Sequence, residues 1–287
     1  MKNRIKILAE LTKIRITIFV TVTTALGYIA AKQEIDINFL PVIIGILFLA
    51  CGAAVINHIQ EKDSDALMDR TKNRPLPSGR VSISEAIALA VILVLSGSAI
   101  LFVFSGQMAA GLALLNLIWY NAVYTPLKKI SAFAIIPGSL VGAIPPVVGW
   151  VAAGGGIFDP QIIIISSFFF IWQIPHFWLL LLVLDKDYKQ AGYPTLTELF
   201  SNDQLIRVTT VWIIATAVTG VMIPLFGIIK LPAVNIALFV SGVWLCWKSL
   251  KLLWKTENKF MFRFAFRDIN LFALSVIILI SIDKLII

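Results

Sequence analysis

The stretch "FLPVIIGILFLACGAAVINHIQEKDSD", residues 39–65, joins a long apolar run directly to a dense group of charges. The run carries no charged residue from Phe39 to Ile56, and an α-helix needs about 20 apolar residues to cross a bilayer. Similar runs recur along the chain. It is 59% hydrophobic and only 14% charged, against roughly 25% charged residues in a soluble domain. The sequence therefore predicts an all-α, polytopic membrane protein.

Counting the apolar runs gives nine predicted spans. Short joints that contain Gly, Pro or polar residues separate them, and no linker interrupts the succession. We therefore expect a single integral-membrane domain over residues 1–287. The predicted spans are 14–31, 38–60, 82–104, 107–123, 131–153, 161–184, 207–229, 232–254 and 264–282.

The basic residues fix the predicted orientation. With the N-terminus inside, 21 of the 24 Lys and Arg residues fall on the inner side, and only Lys32, Lys230 and Lys284 fall outside. The positive-inside rule then predicts a cytoplasmic N-terminus and an external C-terminus. The net charge of +8 lies in short joints between apolar runs, where it meets anionic lipid headgroups. We expect membrane lipid as a partner, and no nucleic acid.

Three oxygen-bearing side chains lie where the second predicted span ends. Asn57, Glu61 and Asp65 follow one another at intervals of four, so they share one face of a continuing helix. Mg²⁺ takes one or two carboxylates and completes its shell with water and substrate phosphate. This face therefore predicts a magnesium site. The alternative, a solvated loop whose charges pair locally, stays open for Asp63 and Asp69.

Cations and a second polar segment surround this face in the sequence. Arg70 and Arg74 follow at once, and guanidinium groups clamp phosphates bidentately. Asp187 and Tyr188 lie past the sixth predicted span on the same membrane side. Tyr124 and Lys128 are four residues apart at the inner end of the fourth span. Together these residues predict a diphosphate site at the inner membrane boundary.

Two histidines lie at or within predicted spans. His58 adjoins the acidic face, and His176 lies mid-span beside Trp178. A membrane histidine can bond another helix, here with Gln173 as a nearby partner, or can bind a haem iron or its propionates. Trp178 is one of many aromatic residues in predicted spans four to six. Some of these aromatic side chains could line a cavity and shelter a carbocation by cation–π attraction.

Several motifs carry a resemblance to a known family. They are "NHIQEKDSDALMDRTKNRPL" at 57–76, "YTPLK" at 124–128, "GAIPPVVGW" at 142–150, "PHFW" at 175–178 and "DYKQAGYPTL" at 187–196. With them the chain resembles the UbiA superfamily of intramembrane prenyltransferases, in its branch that farnesylates protohaem IX. It departs from the quinone branch at His58 and Glu61, where that branch has Asp. The second acidic motif of the quinone branch, D-x-x-x-D, is absent from this chain, because Lys189 rather than Asp stands four residues after Asp185.

The resemblance implies a UbiA-type fold of nine helices around a central cavity, with Mg²⁺ as cofactor. The implied reaction transfers a farnesyl group from farnesyl diphosphate to a vinyl group of haem b and gives haem O and diphosphate. The implied location is a bacterial inner membrane, with haem A synthase or a terminal-oxidase assembly as candidate contacts. The implied residues are Asn57, Glu61, Asp65, Tyr124 and Lys128 for catalysis, the first three with Asp187 for metal, and Arg70, Arg74, Asp187, Tyr188, His58, His176 and Trp178 for substrates.

Two other functions stay open at this point. A quinone-type prenyltransferase would share the diphosphate site but take an aromatic acceptor, and it would bind no haem. A transporter could use the same charges for an anionic substrate. A carrier should tolerate Asp65→Asn better than a metal-dependent enzyme would.

Overall fold

The computed structural model describes residues 2–253 and 259–286, and these residues fold into helices and connecting turns. In chain order the α-helices are α1 (Lys2–Leu11), α2 (Ile14–Lys32), α3 (Phe39–Gln60), α4 (Lys62–Leu67), α5 (Ile83–Ile118), α6 (Thr125–Leu127), α7 (Ile135–Gly138), α8 (Leu140–Ala152), α9 (Pro160–Gln190), α10 (Leu196–Leu199), α11 (Asn202–Met222), α12 (Pro232–Leu250) and α13 (Lys259–Ile286). The all-α prediction is confirmed for these residues.

Within the described residues, eight helical segments are long and apolar enough to cross a membrane. Seven correspond one to one to predicted spans, and the eighth, Ile83–Leu127, covers both 82–104 and 107–123. The predicted end of the span 232–254 lies outside the described residues. Two helices, α11 and α13, begin five residues earlier than predicted, at Asn202 and Lys259. Ser201 accepts a hydrogen bond from the Gln204 amide, so α11 begins at Asn202 rather than near 207.

The 45-residue segment Ile83–Leu127 reverses direction at Gly106. A straight helix of that length would be roughly 67 Å long, about twice the hydrocarbon core. Gly106 has φ 82° and ψ 172°, a conformation open chiefly to glycine. Before it, Leu101 packs against Gly45 of α3; after it, Asn121 donates to the Ala53 carbonyl at 3.0 Å. The segment therefore forms two antiparallel limbs against one helix, as the two predicted spans require.

Close backbone contacts hold the first span inside the bundle. A Cβ at Gly149 would meet the Thr24 carbonyl oxygen at 1.9 Å, and one at Gly27 would meet that of Pro146 at 1.9 Å. Small residues of this kind let membrane helices approach closely. Helix α13 packs on both α9 and α2, so the last span lies beside the first.

The outside of the bundle is apolar, as a lipid-facing surface must be. Large hydrophobic side chains are exposed along several spans, for example Ile92 at 62%, Leu95 at 64% and Ile236 at 64%. Polar groups collect at one end, where α2 starts and where α3, the second limb of α5 and α9 finish. That end holds the candidate site.

Candidate functional site

The predicted oxygen face exists and points inward. The backbone amide of Glu61 donates to the Asn57 carbonyl at 3.0 Å, and that of Asp65 donates to the Glu61 carbonyl at 2.7 Å. Helical spacing therefore continues across the break between α3 and α4. The three side chains are only 0%, 5% and 3% exposed, whereas Asp63 and Asp69 are exposed. Buried carboxylates at a membrane boundary need compensating charge.

Each of the three oxygen-bearing side chains contacts a cation from elsewhere in the chain. Lys13 Nζ donates to Asn57 Oδ1 at 2.5 Å. Lys128 forms an ion pair with Glu61. Arg74 Nη1 donates to both carboxylate oxygens of Asp65, at 2.9 and 2.8 Å. Asn57 is further fixed because its amide donates to Thr125 Oγ1 at 3.0 Å. We call the six residues Asn57, Glu61, Asp65, Lys13, Arg74 and Lys128 the charge cluster.

Lys13 is the member of the charge cluster that sequence reasoning missed. The sequence suggested only an orientation charge before the first span. In the structure its backbone is left-handed, with φ 47° and ψ 46°, which costs a non-glycine residue roughly 1–2 kcal/mol. Desolvation lowers the pKa of Lys13 to about 7, although the neighbouring Glu61 opposes this shift. Its place at the same membrane end as the acidic face was the available signal.

The second polar segment also reaches the cluster, on a helix rather than a loop. Helix α9 runs to Gln190, six residues beyond its predicted end at 184, and carries Asp187 and Tyr188 in its last turns. Arg70 Nε lies 4.0 Å from Asp187 Oδ2, and the Tyr188 ring packs against that of Tyr193, which covers Lys128. Asp185 instead pairs with Lys189 at 3.0 Å and accepts from Thr197.

Tyrosine rings cover the Lys128 ammonium. It lies 5.7 Å from the ring centroid of Tyr124 and 5.9 Å from that of Tyr193. Tyr193 packs against Tyr188 at 5.5 Å, and burial raises the pKa of Tyr193 to about 12. Sequence reasoning did not single out Tyr193. It lies within the motif at 187–196, but no charge or spacing distinguishes it.

An aromatic path leads from the charge cluster into the membrane. Tyr120 and Tyr124 lie on the π-helical turn Trp119–Tyr124, with ring centroids 6.0 Å apart. Tyr124 is followed by Phe177 at 6.3 Å, and Phe177 by His176 at 5.4 Å. The imidazole of His176 therefore connects to Lys128 of the charge cluster through a continuous row of rings.

The remaining predicted residues lie in different surroundings. His176 Nδ1 lies 2.7 Å from Oδ1 of Asn270, so its partner is Asn270 rather than Gln173. His58 is 1% exposed, and its Nδ1 lies 4.0 Å from Asp65 Oδ2, at the edge of the charge cluster. Trp178 makes its ring contact with α11. It is 4% exposed and packs against Trp212 with ring centroids 6.1 Å apart.

The donor set fits a magnesium ion that a substrate phosphate shares. Among the described residues, no three His, Cys, Asp or Glu side chains lie close enough together to hold a metal by themselves. Glu61, Asp65 and the Asn57 amide supply two carboxylates and one neutral oxygen. That is too few for a closed protein site, but it matches Mg²⁺, which keeps several ligands for water and phosphate.

Residues 18–275 match the description "UbiA prenyltransferase family". The chain belongs to the UbiA prenyltransferase family. Among solved structures, a UbiA homologue from Archaeoglobus fulgidus bound to GPP and Mg²⁺ superposes with a TM-score of 0.66 at 15% identity, covering 96% of this chain and 99% of that one. A second solved structure, whose description names digeranylgeranylglyceryl phosphate synthase, has a TM-score of 0.81 at 18% identity. The match covers 99% of this chain and 100% of that one. These structures show that the UbiA fold extends over nearly the whole chain.

Curated UbiA relatives are also similar in sequence. The protoheme IX farnesyltransferase of Oleidesulfovibrio alaskensis is 32% identical over 278 residues, which cover 97% of this chain and 96% of the relative. The protein of the same name from Cytophaga hutchinsonii is 34% identical over 259 residues, covering 89% of each chain. The predicted family is confirmed, and the fold class with it.

Proposed function

We propose that this UbiA protein transfers a farnesyl group from farnesyl diphosphate to a vinyl group of haem b, giving haem O and diphosphate. The observation that carries the proposal is the buried charge cluster, joined by a row of aromatic rings to a membrane histidine. A cation-rich end suits a diphosphate, and an apolar, aromatic interior suits an isoprenoid chain and a porphyrin. The names of the relatives support the same acceptor.

The cations of the charge cluster serve the leaving group. The C1–O bond of farnesyl diphosphate breaks, and its electron pair leaves with the diphosphate. Lys13, Arg74 and Lys128 already lie at one place, paired with oxygen donors, so they stabilise the developing charge with little reorganisation. Bound Mg²⁺ would neutralise the diphosphate oxygens as a Lewis acid, held by Asn57, Glu61 and Asp65. Asp187, which lies beside Arg70, is the candidate ligand of a second Mg²⁺ ion.

The aromatic path serves the carbocation and the acceptor. Tyr120, Tyr124 and Phe177 offer ring faces that attract an allylic cation, an effect worth about 0.5–2 kcal/mol per ring. A vinyl carbon of the haem attacks C1 of this cation. Water then adds to the resulting porphyrin-side cation and loses a proton, which leaves a hydroxyl. His176 would position the haem, with His58 as the second candidate.

The distribution of charge supports the proposed orientation. The proposal places the charge cluster at the cytoplasmic side of a bacterial plasma membrane, with the N-terminus inside and the C-terminus outside, as the distribution of Lys and Arg favours. The product is a modified haem, so a haem A synthase or a terminal-oxidase assembly remains the class of partner that would consume it.

The decisive experiment expresses the chain in a host that lacks haem O and measures extracted haems by mass spectrometry. We expect a haem heavier by a farnesyl group plus a hydroxyl group, and much less of it with Asp65→Asn. In purified protein, chelation of Mg²⁺ should abolish turnover, and added Mg²⁺ should restore it.

A different result would favour the quinone-type prenyltransferase. If the purified protein shows no haem affinity but turns over 4-hydroxybenzoate with farnesyl diphosphate, that hypothesis replaces the proposed haem farnesylation. His176→Ala provides the internal control. It should weaken haem binding while leaving farnesyl diphosphate affinity intact, because the residue lies along the ring path and outside the charge cluster.

A further inference from the structure

The imidazole of His176 is held by a residue from the last span. Its Nδ1 lies 2.7 Å from Oδ1 of Asn270. The Asn270 amide nitrogen donates in turn to the carbonyl of Phe266 at 2.6 Å, one helical turn earlier. The two helices involved, α9 and α13, pack against each other, and the bond joins residues 94 positions apart.

This pair of hydrogen bonds determines which ring nitrogen carries the proton. The Phe266 carbonyl can only accept, so the amide NH₂ of Asn270 must face it, and Oδ1 must face the histidine. Oδ1 is an acceptor only. The proton therefore sits on Nδ1, and in the neutral imidazole Nε2 is left with a free lone pair.

Neighbouring rings and Asn270 account for the contacts of the imidazole and leave Nε2 as its ring nitrogen with no hydrogen bond to the described residues. Trp172 and Phe266 lie against the imidazole, with centroids 4.6 and 4.8 Å away and planes tilted by 41° and 38°. Nδ1 is taken by Asn270, whereas Nε2 makes no hydrogen bond with any described residue. His176 is also only partly buried. Nε2 is therefore the ring nitrogen that remains for a ligand.

We propose that Asn270 is a positioning residue that holds His176 in the Nδ1–H tautomer, so that Nε2 is presented as an axial ligand to the iron of a haem substrate. Histidines that bind metal are commonly oriented in this way by an acceptor on the other ring nitrogen, which also makes the ligand more basic. The inference rests on the proposed function. It adds a residue on the last helix that the sequence motifs did not indicate.

The alternative is that the His176–Asn270 bond only joins two membrane helices. Such bonds contribute about 0.6 kcal/mol on average. The two roles predict different results. An inter-helix bond affects thermal stability alone, whereas a tautomer lock affects iron ligation, and with it the haem spectrum and the KM for haem.

The test compares Asn270→Leu, Asn270→Asp and the matched control Asn235→Leu, whose asparagine lies on α12. Each purified variant, in lipid nanodiscs, is titrated with haem b, and its absorption spectrum, haem affinity, farnesyl diphosphate affinity and midpoint of thermal unfolding are measured. Asn270→Leu should lose the histidine-ligated spectrum and bind haem about 10-fold more weakly or worse, with farnesyl diphosphate affinity unchanged. Asn270→Asp, which keeps the acceptor, should retain the ligated spectrum, as should Asn235→Leu.

A wild-type haem spectrum and affinity in Asn270→Leu would overturn the inference and leave the proposed function standing. If Asn270→Leu does not fold, Asn270→Ala is judged by the same criterion. A wild-type protein that neither binds haem nor makes a farnesylated haem would instead refute the proposed function. The two failures are therefore distinguishable.

Discussion

At the scale of single residues, the site is a set of buried oxygen donors, each paired with a cation. Lys13 is 44 residues from Asn57, and Arg74 is nine from Asp65. Leaving such a carboxylate unpaired at a membrane boundary would cost several kcal/mol. Because the cations already stand in place, an incoming diphosphate meets a site that needs little rearrangement.

Asp65→Asn tests the metal and diphosphate role of the acidic face. The substitution removes one of the two buried carboxylates, and we expect turnover to fall on the order of 100-fold, with a higher Mg²⁺ concentration needed for half-maximal rate. The assay is farnesyl transfer over a Mg²⁺ titration. Asp69→Asn is the matched control, since Asp69 is exposed and bonded to Lys72 at 2.7 Å. Equal activity of the two variants would contradict the assignment.

Lys13→Gln tests the residue that only the structure revealed. Loss of the half-buried ammonium beside Asn57 should weaken farnesyl diphosphate binding about 10-fold or more, the usual value of a hydrogen bond to a charged group. Haem affinity should stay unchanged. Binding of both substrates is measured by titration. Arg15→Gln, two residues on and exposed, should bind like the wild type. If Arg15→Gln is impaired as strongly, general surface charge explains the effect.

At the scale of the elements, the position of α2 depends on glycines. Gly149 of α8 meets the Thr24 carbonyl of α2, so no side chain fits between the two helices. This contact sets the depth of α2, whose start carries Lys13 into the charge cluster. A structural glycine on one helix therefore acts on the site at the end of another.

Gly149→Val should destabilise the protein by roughly 1–3 kcal/mol through overpacking, and it should reduce activity as well, because α2 must move. Thermal unfolding in detergent measures the first effect, and farnesyl transfer measures the second. Gly111→Val is the control, since a Cβ at Gly111 meets no atom within 4 Å. A Gly149→Val protein as stable as Gly111→Val would refute the close approach.

At the scale of the whole molecule, the two ends of the bundle differ in kind. The charge cluster forms one end. At the other, Asp283 accepts from the Lys230 and Leu231 amides at 2.7–3.1 Å, and the Lys230 ammonium donates to Gln33 at 2.9 Å. The connecting segments after α2 and α11, both predicted to be external, therefore contact each other. The reversal at Gly106 is what brings Lys128 back to the end that holds Glu61.

Cysteine labelling tests the orientation. In a variant with Cys51 and Cys246 replaced by Ser, a cysteine at exposed Ser78 should be protected from an impermeant maleimide in intact cells and labelled after lysis. A cysteine at Ile37, which is 88% exposed, should be labelled in intact cells. The positive-inside distribution is the physical reason. The reverse pattern would place the charge cluster outside.

The amino-acid order was enough to place the spans, the reversal between 104 and 107, and the shared face of Asn57, Glu61 and Asp65. Apolar run length and helical periodicity are local properties, so no distant contact is needed to read them. The partners of that face are another matter. Lys13 with Asn57, Arg70 with Asp187 and His176 with Asn270 meet only because helices far apart in the chain pack side by side. Which side chains face one another depends on how neighbouring helices are rotated and how deeply they sit, and the close packing of small residues in the folded bundle decides both.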